Sequence, residues 1–263
     1  MKVHKKKILV TGSRGQLGSA LKDLVSDFPQ FDFLFTTASE LDISDKDQID
    51  DYFLKNRTDY CINCAAYTKV DLAEKEKEQA FKINAEGVKN LALACKKNET
   101  ILIHISTDYV FSGNKREPYS TKDLPAPINI YGESKLAGEM YIQEIMEKYY
   151  IVRTSWLYHK KYGKNFYKTI IEKAQKGATL KITDSQTGCP TNAENLSKFI
   201  LQLIVDNKNF GIRHFCDGEV MTWYEFAVKI LKENSLYNNS VISKQDYETI
   251  ASRPVYSVLK MKD

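Results

Sequence analysis

The chain has 263 residues, 43% of them apolar, which is enough to bury a core without stabilising cross-links. Charged residues make up 27% and the net charge is only +4, with acids and bases interspersed, so we expect no nucleic-acid partner. No apolar stretch approaches the roughly 18 residues that cross a bilayer, and the N-terminus lacks the apolar core of a signal peptide. We therefore expect a cytoplasmic protein that does not bind membranes.

Five cysteines, an odd number, are scattered along the sequence and do not form a disulfide framework. Cys61 and Cys64 spell a C-x-x-C motif, which could indicate a redox or zinc site. However, they lie in an apolar run that predicts a strand, where residues three apart face opposite sides of the sheet. We interpret them as buried strand cysteines and predict no metal site.

Short apolar runs alternate with helical patterns through the first part of the chain. The runs that predict strands are Lys7 to Thr11, Phe31 to Thr36, Asp59 to Ala65, Ile101 to Ser106 and Tyr150 to Thr154. The segment Ser44-x-x-Asp47 ahead of Ile49 predicts a capped helix. Strands separated by helices imply βαβ crossovers. We therefore predict an α/β fold with a doubly wound parallel sheet of the Rossmann type over residues 1–183.

After Thr183 the alternation ends in a turn-rich connector, Asp184 to Thr191, followed by predicted helices near Ala193 to Val205 and Thr222 to Asn234. We predict that residues 184–263 form a smaller C-terminal substrate-binding lobe. A substrate cleft is expected where this lobe meets the sheet.

The first predicted strand runs into a G-x-x-G-x-x-G loop, Gly12 to Gly18, from which a helical pattern continues at Leu17. Glycines permit a tight turn and let backbone N–H groups approach a pyrophosphate at the helix N-terminus. The position of the loop at the first strand-to-helix turn predicts a dinucleotide site that includes Gly12, Arg14, Gly15, Gln16, Leu17 and Gly18.

The end of the second predicted strand bears on the choice of cofactor. An acid that would hold the ribose 2′-hydroxyl of NAD is absent from Thr36-Thr37-Ala38-Ser39. Arg14 lies in the glycine loop, where a guanidinium could reach a 2′-phosphate, although an exposed turn arginine is the alternative interpretation. We expect NADPH, with NADH still possible.

Tyr131 and Lys135 form a Y-x-x-x-K pair, and on a helix this spacing places both side chains on one face. With 16 tyrosines among 263 residues, chance gives roughly two such pairs, and a second exists at Tyr256 and Lys260. Only Tyr131 follows a predicted strand end that carries a hydroxyl, at Ser106 and Thr107. Active sites of parallel sheets gather at such strand ends, which favours the first pair.

The order and spacing of these motifs are more specific than any one of them. The chain resembles the dTDP-4-dehydrorhamnose reductases of the extended short-chain dehydrogenase/reductase family over nearly its whole length. The segments that carry the resemblance are Val10 to Gly18, Asn63 to Asp71, Ser106 to Phe111, Pro118-Tyr119, Tyr131 to Glu139, Arg153 to Trp156 and Arg253-Pro254.

The resemblance implies roles for particular residues. Tyr131 would be the general acid, Lys135 its electrostatic partner and ribose anchor, and Thr107 the hydroxyl that holds the substrate oxygen. We expect the ammonium of Lys135 and an oxidised nicotinamide to lower the pKa of Tyr131. The further cofactor residues implied are Asp42, Ile43, Ala65 and Ala66, and the substrate residues are Val70, Asp71, Thr107, Asp108, Tyr109, Trp156 and Arg253.

The implied reaction is NAD(P)H-dependent reduction of a keto group on a nucleotide-linked deoxysugar, with dTDP-4-dehydro-L-rhamnose giving dTDP-L-rhamnose for surface polysaccharide precursors. A homodimer is compatible with the resemblance.

Family members continue for a further helix after Arg253-Pro254, whereas this sequence stops at Asp263. We therefore expect a shortened substrate lobe.

Three other functions remain open. A sugar dehydratase would carry an acid pair directly after Thr107, where this chain has Asp108 and then Tyr109. An epimerase would benefit from the NAD-anchoring acid that is missing here. A non-catalytic regulatory subunit would be marked by loss of the tyrosine, lysine or threonine, and all three are present.

The roles of two further residues also have alternatives. We interpret His104 as a core residue rather than a catalytic base. Trp156 either packs in the core or contacts the sugar.

Overall fold

The computed structural model describes residues 5–207, 209–246 and 248–261. Its strands are β1 (Lys6–Thr11), β2 (Phe31–Phe35), β3 (Tyr60–Asn63), β4 (Ile101–Thr107), β5 (Tyr149–Thr154), β6 (Leu157–Tyr158), β7 (Leu180–Ile182), β8 (Thr187–Gly188), β9 (Thr191–Asn192), β10 (Gly211–Phe215), β11 (Met221–Thr222) and β12 (Ile242–Lys244). Its α-helices are α1 (Gln16–Asp23), α2 (Lys46–Lys55), α3 (Val70–Ala73), α4 (Lys77–Phe81), α5 (Gly87–Lys97), α6 (Ile130–Ile145), α7 (Phe166–Gln175), α8 (Ala193–Asp206) and α9 (Trp223–Glu233). A π-helical turn, Lys82–Glu86, joins α4 to α5.

A six-stranded sheet in the order β10-β5-β4-β3-β1-β2 forms the centre of the molecule, and every pairing in it is parallel. One apolar cluster packs α1 and α8 against one face, through residues such as Leu21 and Ile200. A second cluster packs α2, α5 and α6 against the other face, through residues such as Leu91 and Ile142. The predicted doubly wound α/β fold is confirmed, and all five predicted strands are present.

The sixth strand of the sheet was not predicted, and it changes the domain organisation. Strand β10 pairs with β5 from Gly211 to Phe215, and helix α8 packs beside α1. Both elements lie in residues 184–263, which were expected to form a separate lobe. The predicted boundary at residue 183 therefore does not divide the two packing units, because the chain returns from the lobe to complete the sheet.

The smaller lobe is built from both sides of that boundary. Helices α7 and α9 share one apolar cluster, which includes Ile170, Leu180, Phe226 and Ile230. Strand β7 pairs with β12 in the same unit. A capping box at Thr222 and Glu225 starts α9, one residue after the position at which the helix was expected to begin. Residues 166–182 thus belong to the lobe by packing.

The start of helix α2 differs from the prediction by one residue. Asp45, not Ser44, is the N-cap, and its carboxylate accepts hydrogen bonds from the backbone N–H groups of Asp47 and Gln48. The hydroxyl of Ser44 instead donates to Asp42. A carboxylate at the N-cap also interacts favourably with the helix dipole, which a serine does not.

Cys61 is a buried residue of β3, as predicted, but Cys64 follows the end of the strand and is only partly buried. Cys61 is buried in the cluster beneath α5, whereas Cys64 packs against the cluster beneath α1. Across the described ranges, no group of three or more His, Cys, Asp or Glu side chains could hold a metal ion. Over the same residues, no helix has the length and apolar character needed to span a membrane.

Helix α6 is held against the sheet by a buried ion pair. Arg153 on β5 donates from Nη2 to Glu139 on α6 at 2.6 Å and from Nε at 3.0 Å, and the two side chains are 1% and 0% exposed. The hydroxyl of Ser106 on β4 donates to the same carboxylate. One side chain of α6 is therefore bonded to two strands of the sheet.

Glu139→Ala should destabilise the protein by about 3 to 5 kcal/mol, because it leaves the guanidinium of Arg153 buried without a counter-charge. Urea unfolding measures this change in the free energy of unfolding. Asp50→Ala is the control, since it breaks the exposed pair between Asp50 and Lys46 and should leave the midpoint nearly unchanged. Equal midpoints for the two variants would contradict the anchoring role of Glu139.

Candidate active site

The strand order changes direction between β1 and β3, and the carboxyl ends of these two strands open a crevice there. Gly12 follows β1 with a φ of +64°, and a Cβ at this position would lie 2.7 Å from the backbone nitrogen of Ala65. Gly18 is equally confined, since a Cβ would lie 2.6 Å from the Cα of Ser13. The glycines therefore allow the loop to fold tightly between β1 and the segment that follows β3.

Helix α1 begins in this crevice with free backbone donors. Its N-cap, Gly15, makes no side-chain capping bond, and the first turn contains no acidic residue. Gly15, Gln16, Leu17 and Gly18 all line a cavity of about 540 Å³. Unsatisfied N–H groups and the positive end of the helix dipole suit an anionic phosphate group at this point.

An adjoining cavity of about 400 Å³ lies on the other side of the glycine loop. It is lined by seven of the predicted cofactor residues, which are Gly12, Arg14, Gly15, Asp42, Ile43, Ala65 and Ala66. Thr37, Ala38, Ser39, Leu41, Cys64 and Ile83 complete the lining and were not predicted as site residues. The two cavities adjoin, since Gly15, Cys64 and Ala66 line both.

An acid does lie in this region, at Glu40, just beyond the end of the second strand as it was predicted. Its carboxylate accepts hydrogen bonds from the backbone N–H and the hydroxyl of Thr37, both at 2.8 Å. These bonds, with a contribution from Arg14, hold the pKa of Glu40 below its usual value. Glu40 does not line the cavity, whereas the exposed Arg14 and the hydroxyl-bearing Thr37 and Ser39 do. The lining thus contains one guanidinium, that of Arg14, and one carboxylate, that of Asp42.

The larger cavity brings together the three predicted catalytic residues, Thr107, Tyr131 and Lys135. Thr107 ends β4, while Tyr131 and Lys135 lie one turn apart at the start of α6. Asn129 caps this helix by accepting from the backbone N–H of Gly132 at 2.8 Å, and a Cβ on Gly132 would overlap the carbonyl oxygen of Tyr109. The close approach of Gly132 to that carbonyl seats Tyr131 beside Thr107.

The pKa of Tyr131 in the ligand-free protein is set mainly by burial. Burial raises it to about 12, a hydrogen bond with Thr107 partly opposes this, and the nearby Asp108 raises it further. Tyr131 is therefore held as a protonated phenol at neutral pH, the form that can donate a proton. The expected lowering by Lys135 and an oxidised nicotinamide concerns the complex with cofactor and stays a prediction.

Two other titratable groups border the same cavity. Burial raises the pKa of Asp108 to about 7, and hydrogen bonds with Ser257 and Thr107 partly oppose this rise. Burial lowers the pKa of Lys135 to about 8, against the opposing effects of Glu139 and Cys64. The Nζ atom of Lys135 donates to the carbonyl oxygen of Ile105 at 2.7 Å and lies 3.2 Å from Nε2 of His104.

Several predicted substrate residues lie beside the cavity rather than in its wall. Val70, Asp71, Tyr109 and Arg253 are not among the lining residues. Asp71 accepts from Nη2 of Arg253 at 2.8 Å and from the backbone N–H of Ala251. The guanidinium of Arg253 is thus paired with a carboxylate in the ligand-free protein, and its contact with substrate stays a prediction. Tyr109 connects this cluster to the cavity, since its ring meets that of Tyr131 edge-on at 5.9 Å.

Trp156 lines the cavity and is also packed, so the packing interpretation is confirmed and the sugar contact stays a prediction. Its ring stacks on Trp223 with centroids 3.6 Å apart and an interplanar angle of 7°. Its backbone has a φ of +46°, a strained value for a bulky side chain. A Cβ on Gly188 would come within 2.5 Å of the indole, so this glycine makes room for the stacked pair.

The lobe and the loop before α7 supply cavity residues that the sequence did not reveal. Gly163, Lys164, Asn165, Phe166 and Trp223 all line the cavity. Asn165 donates from Nδ2 to the side-chain oxygen of Gln16 at 2.8 Å, which joins the start of α7 to the glycine loop. The N-cap pattern of Asn165 before α7 is visible in the sequence, but its contact with Gln16 spans the two packing units.

The comparisons with known proteins agree over nearly the whole chain. The family model described as "RmlD substrate binding domain" matches residues 6–263. The chain belongs to this family. A dTDP-4-dehydrorhamnose reductase of Aggregatibacter actinomycetemcomitans is 35% identical over 97% of this chain and 90% of its own length. A spore coat polysaccharide biosynthesis protein of Bacillus subtilis, SpsK, is 34% identical over 96% of this chain and 88% of its own length.

Solved structures support the membership of the RmlD family. A dTDP-4-dehydrorhamnose reductase of Bacillus anthracis in complex with NADP superposes with a TM-score of 0.94 at 38% identity, covering 98% of this chain and 92% of the other. A UDP-glucose 4-epimerase of Thermus thermophilus in complex with NAD has a TM-score of 0.82 at 20% identity, covering 97% of this chain and 90% of the other. The second likeness shows a shared fold.

The structure separates the two Y-x-x-x-K pairs of this RmlD-family chain. Tyr131 and Lys135 share a helix and a cavity. Tyr256 and Lys260 lie in extended chain, where Tyr256 forms an isolated bridge with Thr187. Residues four apart in extended chain are more than 10 Å from each other by backbone geometry. Only the first pair has the geometry for joint chemistry.

Proposed function

We propose that this RmlD-family protein reduces the keto group of a nucleotide-linked deoxysugar, converting dTDP-4-dehydro-L-rhamnose to dTDP-L-rhamnose for surface polysaccharide precursors. The observation that carries the proposal is the convergence of Thr107, Tyr131 and Lys135 on one cavity beside the N-terminus of α1. Relatives named dTDP-4-dehydrorhamnose reductase, which are 34 to 35% identical to this chain, support the choice of substrate.

NADPH is the proposed cofactor, with NADH as the less favoured alternative. Backbone donors of Gln16, Leu17 and Gly18 would hold the diphosphate, and Ala65 and Ala66 would border the nucleotide. Arg14 would bind a 2′-phosphate. The crystal structure of the Bacillus anthracis reductase in complex with NADP supports this choice.

The chemistry follows from the side chains around the cavity. When bound, a reduced nicotinamide supplies the hydride that goes to the carbonyl carbon. Thr107 binds the carbonyl oxygen by a hydrogen bond, and Tyr131 gives its phenolic proton to that oxygen, so that an alcohol is formed. Lys135 lies one helical turn from Tyr131, where an ammonium stabilises the phenolate left behind and reaches the ribose of the cofactor.

The lobe built from α7, α9 and the turn-rich connector is the proposed sugar-nucleotide side of the cleft. The stacked indoles of Trp156 and Trp223 offer a flat apolar surface at the cavity wall. Asp108 borders the reacting groups, whereas Val70, Asp71, Tyr109 and Arg253 form the neighbouring cluster. These four residues would contact substrate only where it extends beyond Tyr131. A homodimer and a cytoplasmic location remain predictions, which size-exclusion chromatography and cell fractionation can check.

Tyr131→Phe should lower turnover by on the order of a hundredfold or more while leaving folding and cofactor binding nearly intact, because it removes only the proton donor. Single-turnover kinetics with the dTDP-linked ketosugar measure this loss. Tyr256→Phe is the matched control and should do little, since Tyr256 lies outside the cavity. Equal losses in both variants would show that the acid is wrongly assigned.

Arg14→Ala should weaken NADPH binding by about 1 to 3 kcal/mol, the range for a charge-assisted hydrogen bond, and should barely change NADH binding. Calorimetric titration of both cofactors gives the two dissociation constants. The 2′-phosphate role is rejected if both cofactors lose the same affinity.

A substrate panel tests the proposed function as a whole. Under saturating NADPH, turnover of the dTDP-linked ketosugar should exceed that of its UDP and GDP counterparts, and the unlinked sugar should be a very poor substrate. Contacts to the remote nucleotide are what position the carbonyl between Thr107 and Tyr131. Tight NADPH binding with no turnover of any nucleotide sugar would overturn the reductase and favour a regulatory subunit.

A further inference from the structure

The loop before α7 lies across helix α1 and reaches the glycine loop. This crossing loop, residues 159–165, ends at Asn165, the N-cap of α7. The hydroxyl of Tyr162 donates to Oδ1 of Asp23, the last residue of α1, at 3.0 Å. Nδ2 of Asn165 donates to Oε1 of Gln16, the first residue of α1, at 2.8 Å. The crossing loop therefore contacts both ends of the helix whose N-terminus lines the cavity.

The turn in the crossing loop is built on a buried histidine. Nδ1 of His159 accepts hydrogen bonds from the backbone N–H groups of Lys161 and Tyr162, at 2.9 and 3.1 Å. Gly163 follows with a φ of +69°, and a Cβ at this position would lie 2.6 Å from Cγ of Gln16. The backbone of the loop thus lies directly against the side chain of Gln16, and two of the bonds that hold its turn come from His159.

The side-chain amide of Asn165 has a fixed orientation. Its Oδ1 accepts from the backbone N–H of Lys168 at 3.0 Å, and a backbone N–H can only donate. Its Nδ2 lies 2.8 Å from the carbonyl oxygen of His159, which can only accept. Turning the amide over would place two donors together at Lys168 and two acceptors together at His159. Asn165 must therefore present an N–H group to Gln16.

This orientation fixes the amide of Gln16 in turn. Because it faces an N–H donor, Gln16 uses its oxygen there, and its NH₂ group is turned away from Asn165. Across the described residues, no atom of the chain accepts a hydrogen bond from that NH₂ group. Gln16 lines the larger cavity beside Gly15 and Leu17, at the N-terminus of α1. Its amide hydrogens are therefore available to an anion that binds there.

Lys164 is the other group of the crossing loop that could act on an anion. It is exposed and lines the same cavity, so its ammonium could approach a phosphate whatever the arrangement of Gln16. An ammonium on a flexible stem supplies charge without a fixed direction. The two amides supply a direction, because the partners of Asn165 decide which end of Gln16 is left for a ligand.

We propose that Asn165 is a positioning residue, which holds the amide of Gln16 so that its NH₂ group donates to the diphosphate of the bound dinucleotide. The dinucleotide is then held from two directions, by the glycine loop and by the residue that starts α7. This inference rests on the proposed function only for the identity of the cofactor. Because NADPH and NADH share the diphosphate, the effect must be the same for both.

The first test is cofactor binding by Asn165→Ser. A serine can also cap α7, so this variant keeps an N-cap and removes the N–H group that faces Gln16. We expect the dissociation constants of NADPH and NADH to rise by the same factor, about three- to tenfold, as for one misdirected hydrogen bond. Calorimetric titration measures both constants. Unchanged affinity for the two cofactors would overturn the proposal.

Asn192→Ser is the matched control. Asn192 caps α8 by accepting from the backbone N–H of Glu194, and it does not line the cavity. The substitution is the same as at Asn165, and we expect cofactor affinity to stay unchanged. Thermal unfolding of both variants shows that they remain folded. Equal losses of affinity in the two variants would reveal a general effect of replacing an N-cap and would overturn the proposal.

The second test asks whether Asn165 acts through Gln16. Gln16→Leu removes the amide that Asn165 positions and keeps a side chain of similar size. In this background Asn165→Ser should cause no further loss of cofactor affinity, because the two substitutions remove the same interaction. Additive losses would mean that the crossing loop acts through another group, such as Lys164, and would overturn the proposal.

The third test observes the amide of Gln16 directly. Nitrogen-15 NMR shows the side-chain NH₂ signals, and Gln16→Leu assigns the relevant pair by its disappearance. We expect NADPH to move these proton signals downfield in the parent, since donation to a phosphate oxygen deshields them. In Asn165→Ser they should move much less. Unmoved signals in a parent protein saturated with NADPH would overturn the proposal.

These measurements separate the inference from the proposed function. NADPH that binds and shifts the Gln16 signals, without turnover of any nucleotide sugar, would refute the reductase and leave the role of Asn165 standing. Turnover of the dTDP-linked ketosugar with no shift in those signals would leave the reductase standing and refute the role of Asn165.

Discussion

The ion pair between Glu139 and Arg153 fixes helix α6 across the sheet, and the active-site geometry depends on it. Tyr131, Lys135 and Glu139 are spaced four residues apart, so they share one face of α6. Glu139 bonds to β5 and, through Ser106, to β4. The same strand β4 carries His104 and Thr107. Because Glu139 is anchored to the sheet, the positions of Tyr131 and Lys135 on the same helix face are fixed as well.

Most of the fold could be predicted because its strands are buried on both faces and appear as continuous apolar runs. Strand β10 could not, since Gly211–Phe215 lies at the edge of the sheet and contains Arg213 and His214. The packing units do not follow the boundary predicted at residue 183 for a related reason. Sequence order cannot show that α7 packs in the lobe while α8 and β10 return to the sheet.

The contacts of the active site also differ in how far the sequence could predict them. Residues within one motif, such as Gly12 to Gly18 or Tyr131 and Lys135, have their positions determined by local geometry, and the cavity contains them. The pairing of Asp71 with Arg253 and the contact of Asn165 with Gln16 join distant segments, so spacing gave no sign of them. His104 was correctly interpreted as buried, but its contact with Lys135 follows only from packing α6 on β4.

The late return of the chain to the sheet also has a consequence for how the protein is made. Gly211 pairs with Tyr150, about 60 residues earlier, so the whole α7 segment must be synthesised before β10 exists. Until then β5 is an edge strand with unpaired backbone groups, open to pairing with another chain. Closing this long-range contact is slow compared with local helix formation. A ribosome-bound or C-terminally clipped chain would therefore be more prone to aggregate than the finished protein.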